Sequence, residues 1–285
     1  MKSNYIICVD ASCDLPQEFI KANDIYIIPM TCTLNDNDII WKCDDEKTNR
    51  EIYESQRHGD LTKTTLINPF NYIEYFKPLL EEGNNILYIS LSSGLSSTYQ
   101  SAVTAMSQLR EEYKEQTIEV FDSLSATGGI GMLAERAVAN REAGLSIEEN
   151  IEKLTVDRGN LVATFMVKDL DYLKRGGRVS AATAFVGNLL SIVPLLEIDQ
   201  EGKLATIAKA RGNKKAIAYI LDRFENNYGG GKVFVIDSDE PTLSTFLIEK
   251  IKEKHPDIEI DHTLLSPIIG AHTGPGMVGF LFFKK

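Results

Sequence analysis

The stretch Ile86-Leu-Tyr-Ile-Ser-Leu-Ser-Ser-Gly-Leu-Ser-Ser-Thr-Tyr-Gln-Ser-Ala102 decides how the rest of the chain is read. Residues 86–90 form a short apolar run of the kind that makes a strand buried on both faces. From Thr98 onward Ala102, Ala105, Met106 and Leu109 recur at helical spacing, so a helix is expected over 98–114. A buried strand entering a helix through one polar loop is a βα unit, and the pattern repeats along the chain. Strands are expected over 5–9, 25–28, 118–121, 161–166, 232–236 and 258–264. Helices are expected over 69–82, 131–143, 147–158, 213–226 and 241–254. Strands separated by helices imply an α/β fold with a largely parallel sheet in the N-terminal half. A charged helix that ends at Asp157-Arg-Gly-Asn160 marks the boundary, giving α/β domains of 1–158 and 159–285.

Composition narrows the class. The 285 residues carry 30 Lys+Arg and 41 Asp+Glu, a net charge of −11, with 43% hydrophobic and 25% charged residues. That is an ordinary globular composition, and its acidity argues against a nucleic-acid binder or an anionic-membrane binder. Cys8, Cys13, Cys32 and Cys43 show no C-x-x-C spacing, so neither a metal site nor a disulfide framework is expected. They read as small buried hydrophobes of a reducing cytoplasm. The apolar run after the N-terminus is broken by Asp10 and is too short for a secretory signal. Two long runs lack formal charge, 179–196 and 263–283, but proline, glycine and polar residues interrupt both, so stable membrane insertion is not expected.

Four constellations could carry chemistry. Five serines around Gly94, between a strand and a helix, exceed what capping needs and offer hydroxyls and amides to an anion. Lys63-Thr64-Thr65 precedes Asn68-Pro69, a good helix start, and reads as a turn. His272 stands among Gly270, Gly274, Pro275 and Gly276, which predicts a tight loop with room for a ligand. Lys174, Arg175 and Arg178, and then Lys203, Lys209, Arg211, Lys214 and Lys215, are basic clusters in an acidic protein, suited to a phosphate-bearing partner or simply to solvated surface. His58, His255 and His262 read as surface residues. Gly129-Ile-Gly131-Met-Leu-Ala134 matches G-x-G-x-x-A but starts several residues after the strand ending near Asp122, and no acidic residue ends a strand about twenty positions later, so a dinucleotide site is weakly supported. Asp10 and Asp14 read as turn-forming residues, with Mg²⁺ as the lesser alternative.

Taken together in chain order, these segments resemble the DegV family, the bacterial fatty-acid-binding proteins also called FakB. The resemblance rests on Val9-Asp-Ala-Ser-Cys-Asp-Leu-Pro16, Lys63-Thr-Thr65, Ser92-Ser-Gly-Leu-Ser-Ser-Thr-Tyr-Gln-Ser-Ala102, Asp171-Tyr-Leu-Lys-Arg-Gly-Gly-Arg-Val-Ser180, Lys209-Ala-Arg-Gly212 and His272-Thr-Gly-Pro-Gly276. It implies two α/β domains with one long-chain fatty acid between or beneath them, and no further cofactor. It implies a non-catalytic carrier in phospholipid metabolism that presents the acid's carboxylate to a fatty-acid kinase for acyl-phosphate formation. Carried over by motif, Thr64 and Ser96 would hold the carboxylate, with Thr65, Ser93 and His272 beside it. Arg178 and Arg211 would meet the phosphoryl group or the kinase. The helical spacing of Ala182, Phe185, Val186, Leu189 and Leu190 makes the first charge-free run the candidate tunnel wall, or else plain core. Leu66-Ile67 and Ser191-Ile-Val-Pro194 depart from the family pattern, and the second removes a charge near the basic patch. The competing expectation is a serine/histidine-dependent hydrolase or transferase acting on a lipid-like substrate, although no G-x-S-x-G elbow is present.

Overall fold

The computed structural model describes residues 5–179 and 192–285. The tunnel-wall candidates Ala182, Phe185, Val186, Leu189 and Leu190 lie outside the described residues. The chain runs β1 (Tyr5–Asp10), α1 (Gln17–Ala22), β2 (Tyr26–Ile28), β3 (Met30–Leu34), β4 (Asn37–Trp41), α2 (Glu46–Arg57), β5 (Thr62–Thr65), α3 (Pro69–Glu81), β6 (Asn85–Ser90), α4 (Thr98–Glu112) and β7 (Ile118–Asp122). It continues through α5 (Gly128–Glu142), α6 (Ile147–Asn160), β8 (Leu161–Met166), α7 (Asp171–Arg175), β9 (Ile192–Ile198), β10 (Leu204–Arg211), α8 (Asn213–Asn227), β11 (Val233–Asp237), α9 (Pro241–Lys254), β12 (Ile260–Leu264), α10 (Pro267–Thr273) and β13 (Val278–Phe283).

The expected α/β architecture is present. Strands β2-β1-β6-β7 make a parallel sheet, with β1 and β6 buried along most of their length. Local signals place its helices. The Asn68 side chain caps α3 by accepting from the Asn71 N–H at 2.9 Å, with Pro69 in the first turn. Ser146 and Glu149 form a reciprocal capping box at α6.

Two features differ from the expectation. Residues 30–65 build a small antiparallel sheet, order β4-β3-β5, so Lys63-Thr64-Thr65 is a strand and not a turn. The C-terminal sheet, order β10-β9-β8-β13-β11-β12, is antiparallel at every described pairing except β11–β12. Its strand β13 comes from the charge-free run over 263–283.

The glycines of the G-x-G-x-x-A match serve packing at the start of α5. A Cβ on Gly129 would sit 2.0 Å from Ser125 Oγ, and one on Gly131 would sit 2.9 Å from the Cys13 carbonyl oxygen. They let α5 lie against the loops that follow β1 and β7. One face of the C-terminal sheet joins the same core: Ala163, Phe165, Phe234, Ile236 and Leu281 cluster with Ile7, Leu91 and Ile130. The opposite face packs beneath α8 and α9 through Phe224, Phe280 and Phe282.

Candidate functional site

A cavity of about 220 Å³ opens where that sheet face meets the N-terminal half. Ala163, Phe165, Ile236, Gly279 and Leu281 line it from β8, β11 and β13, and Met30 and Leu91 line it from the N-terminal half. Polar side chains border this apolar space, among them Thr64 and Thr65 on β5, Ser96 and Ser97 at the start of α4, Arg178, and His272.

Their contacts make a contiguous group. Thr64 Oγ1 lies 2.8 Å from His272 Nε2. Gly176 presses on the other side of the imidazole so closely that a Cβ there would fall 2.3 Å from Nδ1. Two residues on, Arg178 donates through Nε to the Leu95 carbonyl at 3.1 Å and through Nη1 to the Gly176 carbonyl. Leu95 adjoins Ser96, whose Oγ donates to Thr98 Oγ1 at 2.9 Å and accepts the Thr98 N–H at 3.2 Å. Ser96, and not the N-cap residue Ser97, therefore supplies the side-chain bond at the start of α4.

His272 is not in a loop as expected: it sits in the last turn of α10. Burial first, and then the Arg178 charge, lower its pKa from 6.5 to about 4, so the ring is neutral near pH 7. Nδ1 is buried without a partner among the described residues, so the single proton is assigned to Nε2, where Thr64 can accept it. That leaves the Thr64 hydroxyl proton free to donate into the cavity.

The serine loop is held from behind. Asp10 is fully buried, and its Oδ2 accepts from Tyr88 OH at 3.0 Å and from the Leu91 N–H at 2.6 Å. Its Oδ1 accepts the Ser12 N–H at 3.1 Å, a local turn of the expected type. Asp14 accepts the Ser266 N–H at 2.9 Å at the start of α10, and burial raises its pKa to about 8. Among the described residues no group of three or more His, Cys, Asp or Glu side chains is placed to hold a metal ion.

Two of the expected site residues lie elsewhere. Ser93 is exposed, and its N–H donates to Asp122 Oδ1 at 3.1 Å. Arg211 is exposed at the end of β10. Ser92, by contrast, is buried and ties the serine loop to the C-terminal half by donating to the Gly202 carbonyl at 2.7 Å. His262 is exposed, as expected, and bonds Asp237 Oδ2 at 2.7 Å. Thr127 and Gly279 also line the cavity, and neither has a sequence signal for that role. Thr127 holds a positive φ of 55°, a conformation unfavourable for a β-branched residue.

A second concavity, about 420 Å³, is bordered by Asp14, Trp41, Arg50, Asp237 and His262 and is much less apolar. No described helix is long and apolar enough to cross a membrane.

Fold and site together define a class: a two-domain α/β binding protein whose apolar chamber ends in hydroxyl, imidazole and guanidinium groups. The chain belongs to the DegV family, whose description, an uncharacterised protein family, matches residues 5–285. It is 34% identical over 283 residues to a DegV domain-containing protein of Clostridium perfringens, covering 98% of this chain and 97% of that one. Among solved structures it is similar to a fatty-acid-binding DegV family protein from Thermus thermophilus, at 29% identity and a TM-score of 0.88, covering 99% and 100% of the two chains. It is also similar to the Streptococcus pneumoniae fatty acid kinase B3 protein loaded with linoleic acid, at 25% identity and a TM-score of 0.85, again covering 99% and 100%.

Proposed function

We propose that this chain is a non-catalytic carrier that binds one long-chain fatty acid, with the carboxylate at Thr64, Ser96 and His272 and the tail in the apolar chamber. The observation that carries this reading is the contiguous Thr64–His272–Gly176–Arg178–Leu95–Ser96 group bordering a cavity whose remaining lining is mostly hydrocarbon. A buried carboxylate is costly without donors, and hydroxyls with a nearby guanidinium supply charge-assisted ones. Thr65 borders the same cavity, whereas Ser93, exposed and outside the lining, is left out of the set. For a sixteen-carbon acid, about 14 methylenes at ~0.8 kcal/mol each favour burial by on the order of 11 kcal/mol before ordering costs. Tail burial supplies the affinity, and the polar end sets the orientation.

The carrier works in the cytoplasm and presents its carboxylate to a fatty-acid kinase, with Arg178 at the phosphoryl position and Arg211 on the docking face. Exposure of Arg211 supports the second role. The binding unit is divided at residues 1–158 and 159–285. That division is supported by a six-stranded sheet that begins at Leu161, beyond the last strand of the N-terminal sheets at Asp122. A serine hydrolase is disfavoured: His272 Nε2 meets Thr64, and Ser96 bonds Thr98, so no serine–histidine pair is formed between them.

The direct test is solvent extraction of the purified protein followed by mass spectrometry, where a stoichiometric acyl chain is expected and its absence would sink the proposal. Thr64→Ala with Ser96→Ala should weaken binding at least tenfold without unfolding the protein. Arg211→Glu should spare lipid binding and slow kinase-dependent acyl-phosphate formation, and equal turnover would remove the docking role.

A further inference from the structure

Gly279 occupies a position where neither backbone nor packing calls for glycine. It is the second residue of β13, a central strand, paired with Phe165 on one side and Ile236 on the other. Its φ is not positive, so no left-handed conformation requires it. The atoms nearest to a Cβ built there would be Met277 Cε and Phe165 Cβ at 3.6 Å and Met277 Sδ at 3.7 Å, all ordinary contacts. The protein would accept a methyl group. Glycine inside a strand weakens it, and the other residues of β13 are valine, leucine and phenylalanine.

What Gly279 preserves is space. Side chains alternate along β13, and Gly279 shares the cavity face with Leu281, whereas Phe280 and Phe282 turn to the opposite core. Across the sheet, the row Phe165–Gly279–Ile236 has a bare centre, and the next row, Ala163–Leu281–Phe234, has its bulk there. With strands about 4.8 Å apart, Phe165 and Ile236 stand roughly 9.6 Å from each other across a notch one side chain wide. A strand glycine that faces a cavity, with no bulge in its pairing and no backbone pressed against it, fits the close approach of a ligand.

We propose that Gly279 is a specificity-determining residue for the hydrocarbon tail: its notch lets a long unbranched acyl chain pass between Phe165 and Ile236, and a side chain there stops the tail short. This rests on the fatty-acid reading above. The test uses delipidated full-length protein offered an equimolar mixture of saturated acids from twelve to eighteen carbons, with the bound acids identified by mass spectrometry. Wild type, Gly279→Ala and Gly279→Val are compared. Gly279→Val should shift the bound acids to shorter chains and weaken sixteen-carbon binding at least tenfold, while the empty protein melts no lower than wild type. Gly279→Ala should move the distribution the same way by less, and it decides the matter if the valine variant does not fold. An unchanged distribution and affinity in a folded variant overturns the role of Gly279. Wild type that takes up no acyl chain overturns the fatty-acid reading itself.

Discussion

Thr64 and His272 are 208 positions apart in sequence and 2.8 Å apart in space. Their residue types were legible as candidates because a threonine pair and a glycine-flanked histidine are unusual local patterns. Their pairing was not, because it depends on how β5 and α10 pack. The charge state of the imidazole was equally hidden, since burial and Arg178 together set it. The folded pKa of about 4 lies below the unfolded value near 6.5, so folding favours the neutral ring. The associated stability is whole above pH 6.5 and is lost as pH falls toward 4, by up to about 3 kcal/mol. Urea denaturation of the delipidated protein at pH 7 and pH 4.5 should show this loss, and His272→Gln should flatten it. An equal loss in the variant would place the acid sensitivity on other groups.

Helix α2 shows why some elements were illegible. Its buried residues are Asn49, Ile52, Tyr53 and Gln56, so the face that enters the core is largely polar and gives no apolar period. The polar residues at 49, 53 and 56 all bond to other elements. Asn49 Nδ2 and Tyr53 OH donate to the Leu265 carbonyl, at 2.7 and 2.8 Å. Gln56 Nε2 donates to the Gly270 carbonyl at 3.1 Å and to Thr62 Oγ1 at 2.7 Å. Gln56 thus joins α10, which carries His272, to β5, which carries Thr64. Strands β3, β4 and β5 escaped notice for a related reason: their Thr, Asn, Asp and Lys residues alternate faces at a small sheet and resemble loop composition. Gln56→Leu leaves the Gly270 carbonyl and the Thr62 hydroxyl without this partner and should cost about 1–3 kcal/mol of stability. If the bridge also sets the Thr64–His272 geometry, fatty-acid affinity should fall with it, severalfold or more, when both are measured on the same preparation. Lower stability with unchanged affinity would reduce α2 to a scaffold.

At the scale of the molecule, the parallel sheet was readable from buried runs such as Tyr5–Asp10. The antiparallel order of the C-terminal sheet was not: β9 and β10 form a local hairpin, but the last strand, β13, inserts between β8 and β11, a placement set by contacts more than a hundred residues apart in the case of Met166 and Val278. The cavity depends on that order: β8, β13 and β11 supply one wall, while Met30, Thr64, Leu91 and Thr127 close it from the N-terminal half. A ligand seated there touches both halves at once, so its binding energy opposes the separation of either. For a site filled a hundredfold above its dissociation constant, linkage gives about 2.7 kcal/mol of stabilisation. At roughly 2–4 °C per kcal/mol for a chain somewhat shorter than this one, the melting temperature should rise by about 5–10 °C when delipidated protein is reloaded with a sixteen-carbon acid. Hydrogen exchange locates the effect. Added protection in β6 and its serine loop together with β8 and β13 is the signature of a ligand clasped by both halves, whereas protection confined to one side would place the acid on the surface of a single domain.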